Sequence, residues 1–274
     1  MPHLDVYGND HSPWVQAVLL GLFERRIPHT LTMTPPWSLF RRSGVMMPAA
    51  SIDGGPWRLE SAEILREVGY ESISHEDMRL IRRAWQGVLH RPDSAAQFWW
   101  RFSLCREPHP SLPRRLRNQF LRSFTTLYFY LLIRFMVLTG NRRDPDDFAE
   151  QFLVWEQKLA ANAGFFLGGA EPNTLDMLLF GILQCHSSIP VPPIYALQSD
   201  PRLARTRAWI AAMQERFAGY EHLYSGVYFE PHAPPPAPAS ALEQTAFWLG
   251  TLFMLVCFPI TIPLVAFLAM RVQR

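Results

Sequence analysis

The sequence predicts an α/β domain, then an all-α domain, and finally a carboxy-terminal transmembrane helix. Strand-like and helical segments alternate over about the first 70 residues, and only helical periodicity follows. From Thr245 to Met270 the chain contains no Asp, Glu, Lys, Arg or His. That run is longer than the roughly 20 apolar residues that cross a bilayer. The 274 residues are enough for two modest domains and this anchor.

The amino-terminal elements follow one another closely. Residues 4–8 are apolar and rich in β-forming residues, which predicts a strand. Residues 13–25 repeat apolar side chains with a helical period, and residues 29–33 predict a second strand. Residues 35–44 show neither pattern, so we expect a βαβ unit followed by an irregular segment.

A hairpin and a helix complete the α/β domain. Residues 48–52 and 57–59 flank Gly54 and Gly55, which are typical turn residues of a tight antiparallel hairpin. Residues 61–68 then place apolar side chains on one helical face. The predicted order of elements is therefore βαβ-ββα.

The second domain is predicted to be a helical bundle. Residues 120–138 are nearly apolar enough for a second membrane span, but Arg122 and Arg134 interrupt them, which favours a buried core helix. Residues 146–162 and 200–217 predict further helices. Several aromatic residues of this half could line an apolar pocket, although a plain core is favoured for them: Trp99, Trp100, Phe102, Tyr128 and Tyr130.

A proline-rich segment separates the helical domain from the anchor. Residues 230–240 contain five prolines, which predicts a semi-rigid tether. Pro259 and Pro263 lie within the apolar run, and the sequence leaves open a single span and a hairpin. We expect a first domain, a helical domain, a linker and a membrane anchor at residues 1–72, 73–229, 230–241 and 242–270.

Composition excludes several function classes. The formal net charge is only +2, so nucleic acid is not expected as a partner. For the arginines within residues 114–122, a solvated helix face is favoured over contact with phosphates or lipid headgroups. Three cysteines and the absence of metal-ligand spacing predict neither a disulfide framework nor a bound metal. The amino terminus lacks a signal-peptide pattern, so we expect the folded part to be cytoplasmic.

Three motifs follow one another in the α/β domain. Asp-His-Ser-Pro-Trp-Val at residues 10–15 opens the first helix. Gly-Val-Met-Met-Pro at residues 44–48 precedes the third strand, and Glu-Ser-Ala-Glu-Ile-Leu at residues 60–65 opens the next helix. Each motif alone has low specificity, and their order and spacing carry more information.

A fourth motif lies in the helical domain. Phe-Leu-Gly-Gly at residues 166–169 precedes a helix start in which Asn173 is the cap and Asp176 follows three residues later. Together the four motifs resemble the cytosolic glutathione transferase superfamily in its serine form, over residues 4–217. The resemblance implies a thioredoxin-like first domain and a helical second domain.

The resemblance also implies a glutathione site with Ser12 as its catalytic residue. A hydroxyl at a helix amino terminus favours the thiolate of glutathione. Met47, before a cis bond to Pro48, would pair with the cysteinyl part, and Glu60 and Ser61 would hold the γ-glutamyl end. From the residues alone, a plain helix cap, a trans-proline and ordinary first-turn residues remain the alternatives.

Two functions are consistent with these features. The first is a membrane-tethered transferase that conjugates glutathione, its co-substrate, to an apolar electrophile from the lipid bilayer; the family is usually dimeric, which implies a homodimer. The second is a non-enzymatic docking or assembly protein at a membrane, as in metaxins and the ganglioside-induced differentiation-associated group. Residues 35–44 lack an evident Lys or Gln for the glycyl end of glutathione, although Arg41 or Arg42 could serve.

Overall fold

The first part of the fold is built on a small mixed sheet. A computed structural model of the protein describes residues 3–10, 12–89, 91, 93–106, 110–140, 149–187, 196–223 and 237–271. The four strands are β1 (Leu4–Tyr7), β2 (His29–Thr32), β3 (Ala49–Ile52) and β4 (Arg58–Leu59). Their order in the sheet is β2-β1-β3-β4, with β1 parallel to β2 and antiparallel to β3, and β3 antiparallel to β4.

The remaining regular secondary structure of the described residues is α-helical, apart from one short 3-10 helix, Pro201–Leu203. The first three helices belong to the part of the chain that forms the sheet: α1 (Pro13–Glu24), α2 (Trp37–Ser43) and α3 (Ser61–Glu67). The following ones are α4 (His75–Leu89), α5 (Ser94–Leu104), α6 (Leu112–Leu138), α7 (Glu150–Ala161), α8 (Thr174–Ser187), α9 (Ala196–Ser199), α10 (Ala204–Arg216) and α11 (Ala241–Arg271).

The predicted βαβ-ββα order is confirmed, with α1 as the crossover that a parallel strand pair requires. This is the thioredoxin-like arrangement expected from the motifs. One segment was predicted wrongly, because residues 35–44 are not irregular but contain α2. This helix has seven residues and begins after Pro36, so it is too short to show a clear helical period in the sequence.

The helical part packs on the sheet domain through α1 and α8. Most of α1 is buried, from Pro13 to Leu22, and it has extensive contacts with α8. A Cβ atom added at Gly181 of α8 would lie 2.5 Å from the carbonyl oxygen of Pro13 and 2.9 Å from the backbone nitrogen of Ala17. Glycine is therefore what allows the two helix backbones to approach so closely.

The predicted start of α8 is confirmed in detail. The Asn173 side chain accepts hydrogen bonds from the backbone N–H groups of Leu175 (2.8 Å) and Asp176 (3.3 Å). The buried Asp176 carboxylate accepts four more, from the backbone of Leu167, Gly168 and Asn173 and from the indole of Trp209, at 2.7–3.0 Å. This carboxylate joins the loop before α8 to α10.

Helix α6 differs from its prediction as a buried core helix. Only one side of it is covered, and Tyr128, Phe135 and Leu138 are 53%, 60% and 76% exposed. Two helical stretches are long and apolar enough to cross a membrane by length and composition, Leu112–Leu138 and Ala241–Leu264. No more than 22% of the apolar segment of either helix is buried. The prediction that α6 is a buried core helix, which was based on the spacing of Arg122 and Arg134, is therefore wrong.

Helix α11 is continuous through Pro259 and Pro263, so it forms no hairpin in this structure. Most of the predicted tether, residues 230–236, lies outside the described residues. The end of that segment is not a free spacer, because Ala237 accepts a backbone hydrogen bond from Arg106 (2.7 Å) and Ala239 donates one to Leu104 (2.6 Å). Residues just before α11 are thus bound to the end of α5.

Candidate functional site

Ser12 stands at the amino terminus of α1, as expected. Its backbone is extended (φ −76°, ψ 125°), its N–H donates to the Asn9 carbonyl, and its own carbonyl accepts the first helical hydrogen bond from Gln16. The side chain makes no capping hydrogen bond to the helix, although Ser12 is the cap residue. The hydroxyl is thus not used for the plain capping role that was the alternative to catalysis.

The start of α1 combines a positive helix end, which favours an anion, with the nearby Asp10 carboxylate, which opposes one. The first turn of α1 carries no acidic residue, so its positive helix end is not neutralised there. Burial, together with the nearby Asp10 carboxylate, raises the pKa of the Cys185 thiol well above its usual range. Cys185 therefore stays protonated near neutral pH.

The peptide bond between Met47 and Pro48 is cis, as predicted. The Met47 sulfur accepts a hydrogen bond of 3.4 Å from the backbone N–H of Asn9. Asn9 also accepts the hydrogen bond from the Ser12 N–H. The cis peptide and the loop that carries Ser12 are therefore neighbours, linked through a single residue.

The backbone of Glu60 has the left-handed value φ +73° (ψ 117°), which is rare for a residue with a side chain. Its side chain is exposed, whereas Ser61, the first residue of α3, is 4% exposed. Non-glycine residues in such conformations cluster at ligand sites, where the surrounding fold imposes them. Glu60 precedes α3 as its cap residue and is not part of the first turn of the helix.

The sheet register brings the three motifs to one end of the sheet. Ala49 at the start of β3 pairs with Tyr7 at the end of β1 and with Leu59 at the end of β4. Pro48, directly before β3, and Glu60, directly after β4, are therefore at adjacent positions, next to the turn that follows β1. Neighbouring strands are about 4.8 Å apart, so one extended peptide can contact all three segments.

Helix α2 adds a basic surface. Its two arginines were named from the sequence but placed in an irregular segment, not on a helix. Arg41 and Arg42 are exposed and, with Ser38, line an open cleft. The opposite side of α2 is buried through Leu39, which packs with Tyr7 and Ala49. The helix therefore places its guanidinium groups outward, next to the strand that begins after Pro48.

The aromatic residues near Ser12 are not those singled out from the sequence. Trp14, two residues after Ser12, lies 6.3 Å from Trp85 of α4, measured between ring centroids. Trp99, in contrast, contacts Phe247 of α11, with centroids 5.6 Å apart. The apolar surface beside Ser12 is thus built by α1 and α4, and the aromatic residues of α5 and α6 serve other contacts.

A polar cluster joins the segment after α10 to the sheet domain. His29 of β2 lies 2.7 Å from the Tyr220 hydroxyl and 2.8 Å from the Ile27 carbonyl oxygen. Gln16, one turn after Ser12, donates a 2.6 Å hydrogen bond to the carbonyl of His222. His222 is therefore a contact between the two parts of the fold. Among the described residues, no group of three His, Cys, Asp or Glu side chains is arranged to hold a metal ion.

Comparisons with known proteins give similar folds at low identity. No protein-family model and no curated protein sequence matches the chain. A dehydroascorbate reductase from Chlamydomonas reinhardtii is 14% identical over 83% of this chain and 94% of its own, with a TM-score of 0.45. The apo form of a human glutathione-S-transferase mutant is 16% identical over 92% and 99%, with a TM-score of 0.44. A glutathione transferase from Populus trichocarpa is 17% identical over 80% and 95%, with a TM-score of 0.41.

Proposed function

We propose that this protein is a membrane-associated glutathione transferase that joins the glutathione sulfur to an apolar electrophile. The observation that carries the proposal is the convergence of the Ser12 loop, the cis Met47–Pro48 peptide and the left-handed Glu60 at one end of the sheet. These segments form an edge that an extended tripeptide fits.

Each residue has a distinct role in the proposed complex. The backbone of Met47 pairs with the cysteinyl part of glutathione, as a β-strand partner would. The Glu60 carboxylate pairs with the γ-glutamyl ammonium, and the Ser61 hydroxyl and N–H bind its carboxylate. One of the two exposed arginines of α2, Arg41 or Arg42, binds the glycyl carboxylate.

The reaction follows from stabilisation of the thiolate. The Ser12 hydroxyl donates a hydrogen bond to the sulfur, and the amino terminus of α1 adds a favourable potential, so that the thiol proton leaves to solvent near neutral pH. The sulfur electron pair then forms a C–S bond with the electrophilic carbon. In a substitution the leaving group takes the displaced electron pair, and in an addition the product takes a proton from water. Trp14 and Trp85 would contact the apolar part of the electrophile.

Attachment to a bilayer is part of the proposal and rests on α11. Between Thr245 and Met270 this helix has no Asp, Glu, Lys, Arg or His, and eleven large apolar residues that the structure describes in this run are between 41% and 78% exposed. Such a surface is unusual for a chain that works in water. An apolar substrate would then reach the site from the bilayer, with the folded part on the cytoplasmic side.

Calorimetric titration with glutathione tests the binding site. Glu60→Gln removes the ion pair with the ammonium and is expected to weaken binding about tenfold or more. Glu63→Gln is the matched control, because Glu63 lies three residues after Glu60, is 56% exposed and pairs with Arg66. Equal affinities for the two variants would reject the assigned role of Glu60.

A second function, a non-enzymatic docking module, is favoured by one observation. Two large apolar side chains near the proposed site are widely exposed, Trp37 of α2 at 71% and Met33 after β2 at 64%. An exposed apolar patch suits a protein partner. Failure of the unmodified protein to bind glutathione, with loss of a detergent-stable complex in Trp37→Ser, would support this function instead.

A further inference from the structure

Helices α6 and α11 lie side by side and run in the same direction. The Arg115 guanidinium of α6 is 2.8 Å from the Glu243 carboxylate of α11. Further along, a Cβ atom at Gly250 would lie 2.5 Å from the Phe120 carbonyl oxygen, and the Phe253 ring is 6.1 Å from the Phe120 ring. Residue numbers rise together along both helices, so the pairing is parallel.

The beginning of α11 is fixed to the folded domain. Ser240 caps the helix, and its hydroxyl and N–H both donate to the Glu243 carboxylate, at 2.6 and 2.8 Å. Glu243 is fully buried, as is Phe247, which contacts Trp99 of α5. The start of the apolar helix is therefore a packed part of the fold.

The outer sides of the two helices form one apolar surface. Phe253 of α11 stacks on Phe124 of α6 with ring centroids 5.9 Å apart, which joins the exposed sides of both helices. We call this surface the α6–α11 face. Its other members are between 41% and 74% exposed, and they recur at helical spacing: Leu121, Tyr128, Leu131 and Phe135 on α6, and Leu249, Val256 and Ile260 on α11.

The charges around the α6–α11 face indicate what covers it. Arg114 and Arg117 are exposed at the start of α6, seven and four residues before Leu121, and therefore on the same side of the helix. Trp248, 48% exposed, lies near the same end. Apolar surface bordered by arginine and tryptophan fits a bilayer with anionic headgroups.

The position of Arg134 indicates how the face meets the bilayer. The pairs formed by Arg115 with Glu243 and by Phe120 with Gly250 give an offset of about 130 residues, which places Arg134 beside Pro263. If α11 crossed the bilayer while packed on α6, the exposed Arg134 would lie within the hydrocarbon. If both helices lie along the membrane surface, its guanidinium reaches the headgroups.

We infer that α6 and α11 together form a bilayer-binding face that lies along the membrane surface, attached from one side and selective for anionic lipid. This inference rests on the proposed membrane association. It replaces a single anchor helix with a contact made by two helices, one of which is α6, the helix predicted from the sequence to be buried in the core. Binding is then an attribute of the folded domain and holds that domain at a fixed orientation to the lipid.

Flotation with vesicles tests the contribution of α6. We expect the full chain to bind vesicles of phosphatidylcholine with phosphatidylserine more tightly than vesicles of phosphatidylcholine alone. The double variant Leu131→Glu with Phe135→Glu should bind the anionic vesicles about tenfold more weakly or worse. The control is Phe165→Glu, which changes a 68% exposed apolar residue outside both helices and should bind as the unmodified chain does. Unchanged binding by the double variant, with native circular dichroism, would overturn the inference.

Protease protection tests the one-sided attachment. A cleavable tag placed after Arg274 should be digested by protease added outside closed vesicles, since both ends of α11 stay on one side. A protected tag would show a crossing helix and overturn the proposal. Conversion of a dimer to a monomer by the double variant, with vesicle binding intact, would assign the face to a second copy and also overturn it. Glutathione affinity in detergent is a separate readout, so failure of the catalytic proposal is distinguishable.

Discussion

Removal of the Asp176 carboxylate should cost the fold about 3 to 5 kcal/mol of unfolding free energy. The carboxylate is buried and accepts two hydrogen bonds on each oxygen, from Leu167 and Trp209 on one and from Gly168 and Asn173 on the other. In Asp176→Ala four donors lose their acceptor, each at about 1 to 3 kcal/mol, and relaxation of the loop reduces the total.

The variant Asp176→Asn distinguishes loss of the carboxylate's hydrogen bonds from loss of side-chain volume, because asparagine has nearly the same size as aspartate. Asp176→Asn keeps one acceptor oxygen, but its NH₂ group would face two N–H donors, so it should be nearly as unstable as Asp176→Ala. Urea unfolding in detergent, followed by tryptophan fluorescence, measures the difference. Glu63→Ala, which removes an exposed ion pair with Arg66, is the control and should cost less than about 1 kcal/mol. A loss below about 1 kcal/mol for Asp176→Ala, or full recovery in Asp176→Asn, would show that these four hydrogen bonds do not stabilise the fold.

Three further predictions follow from other contacts. Gly181→Ala should destabilise the protein by about 1 to 3 kcal/mol in urea unfolding and weaken glutathione binding, because its Cβ meets the backbone of α1; unchanged stability would contradict that contact. Glu60→Gly should relieve the left-handed backbone, leaving stability equal or about 0.5 to 1 kcal/mol higher while glutathione affinity falls. Although burial opposes it, hydrogen bonding by Ser74 and Lys158 lowers the pKa of Asp77. The contribution of Asp77 to the free energy of unfolding is therefore present above its unfolded-state pKa and is lost as pH falls through its folded-state pKa. The unfolding free energies of the wild type and of Asp77→Asn should accordingly become equal at acid pH.

The sequence was most informative where local chemistry determines local structure. The cap at Asn173 was predicted from a few residues, whereas the cis bond before Pro48 was implied by the family resemblance of the motifs; both are present. The order of strands and helices along the chain followed from short apolar runs and turn glycines, because each strand is specified within about five residues. Pattern reasoning succeeded for these strands and for the Asn173 cap because no distant contact was needed to identify them.

Predictions that depended on distant contacts were incomplete. The burial of α6 depends on how much of it α5 and α11 cover, and neither contact has a signal in the sequence of α6 itself. The cap formed by Ser240 and Glu243 does have a local signal in the sequence, because Ser followed three residues later by Glu is typical of a helix start. The apposition of Trp14 and Trp85 arises from packing of α1 against α4, which no local pattern specifies.

The central claim is that Ser12 stabilises the thiolate of bound glutathione. The most direct measurement is a pH titration of thiolate absorbance in the glutathione complex of the unmodified protein, of Ser12→Ala and of Ser72→Ala, an exposed serine elsewhere in the chain. Loss of the hydroxyl donor should raise the thiol pKa of bound glutathione by about 1 to 2 in Ser12→Ala, and leave it unchanged in Ser72→Ala. The same thiol pKa in all three complexes would show that Ser12 does not stabilise the thiolate.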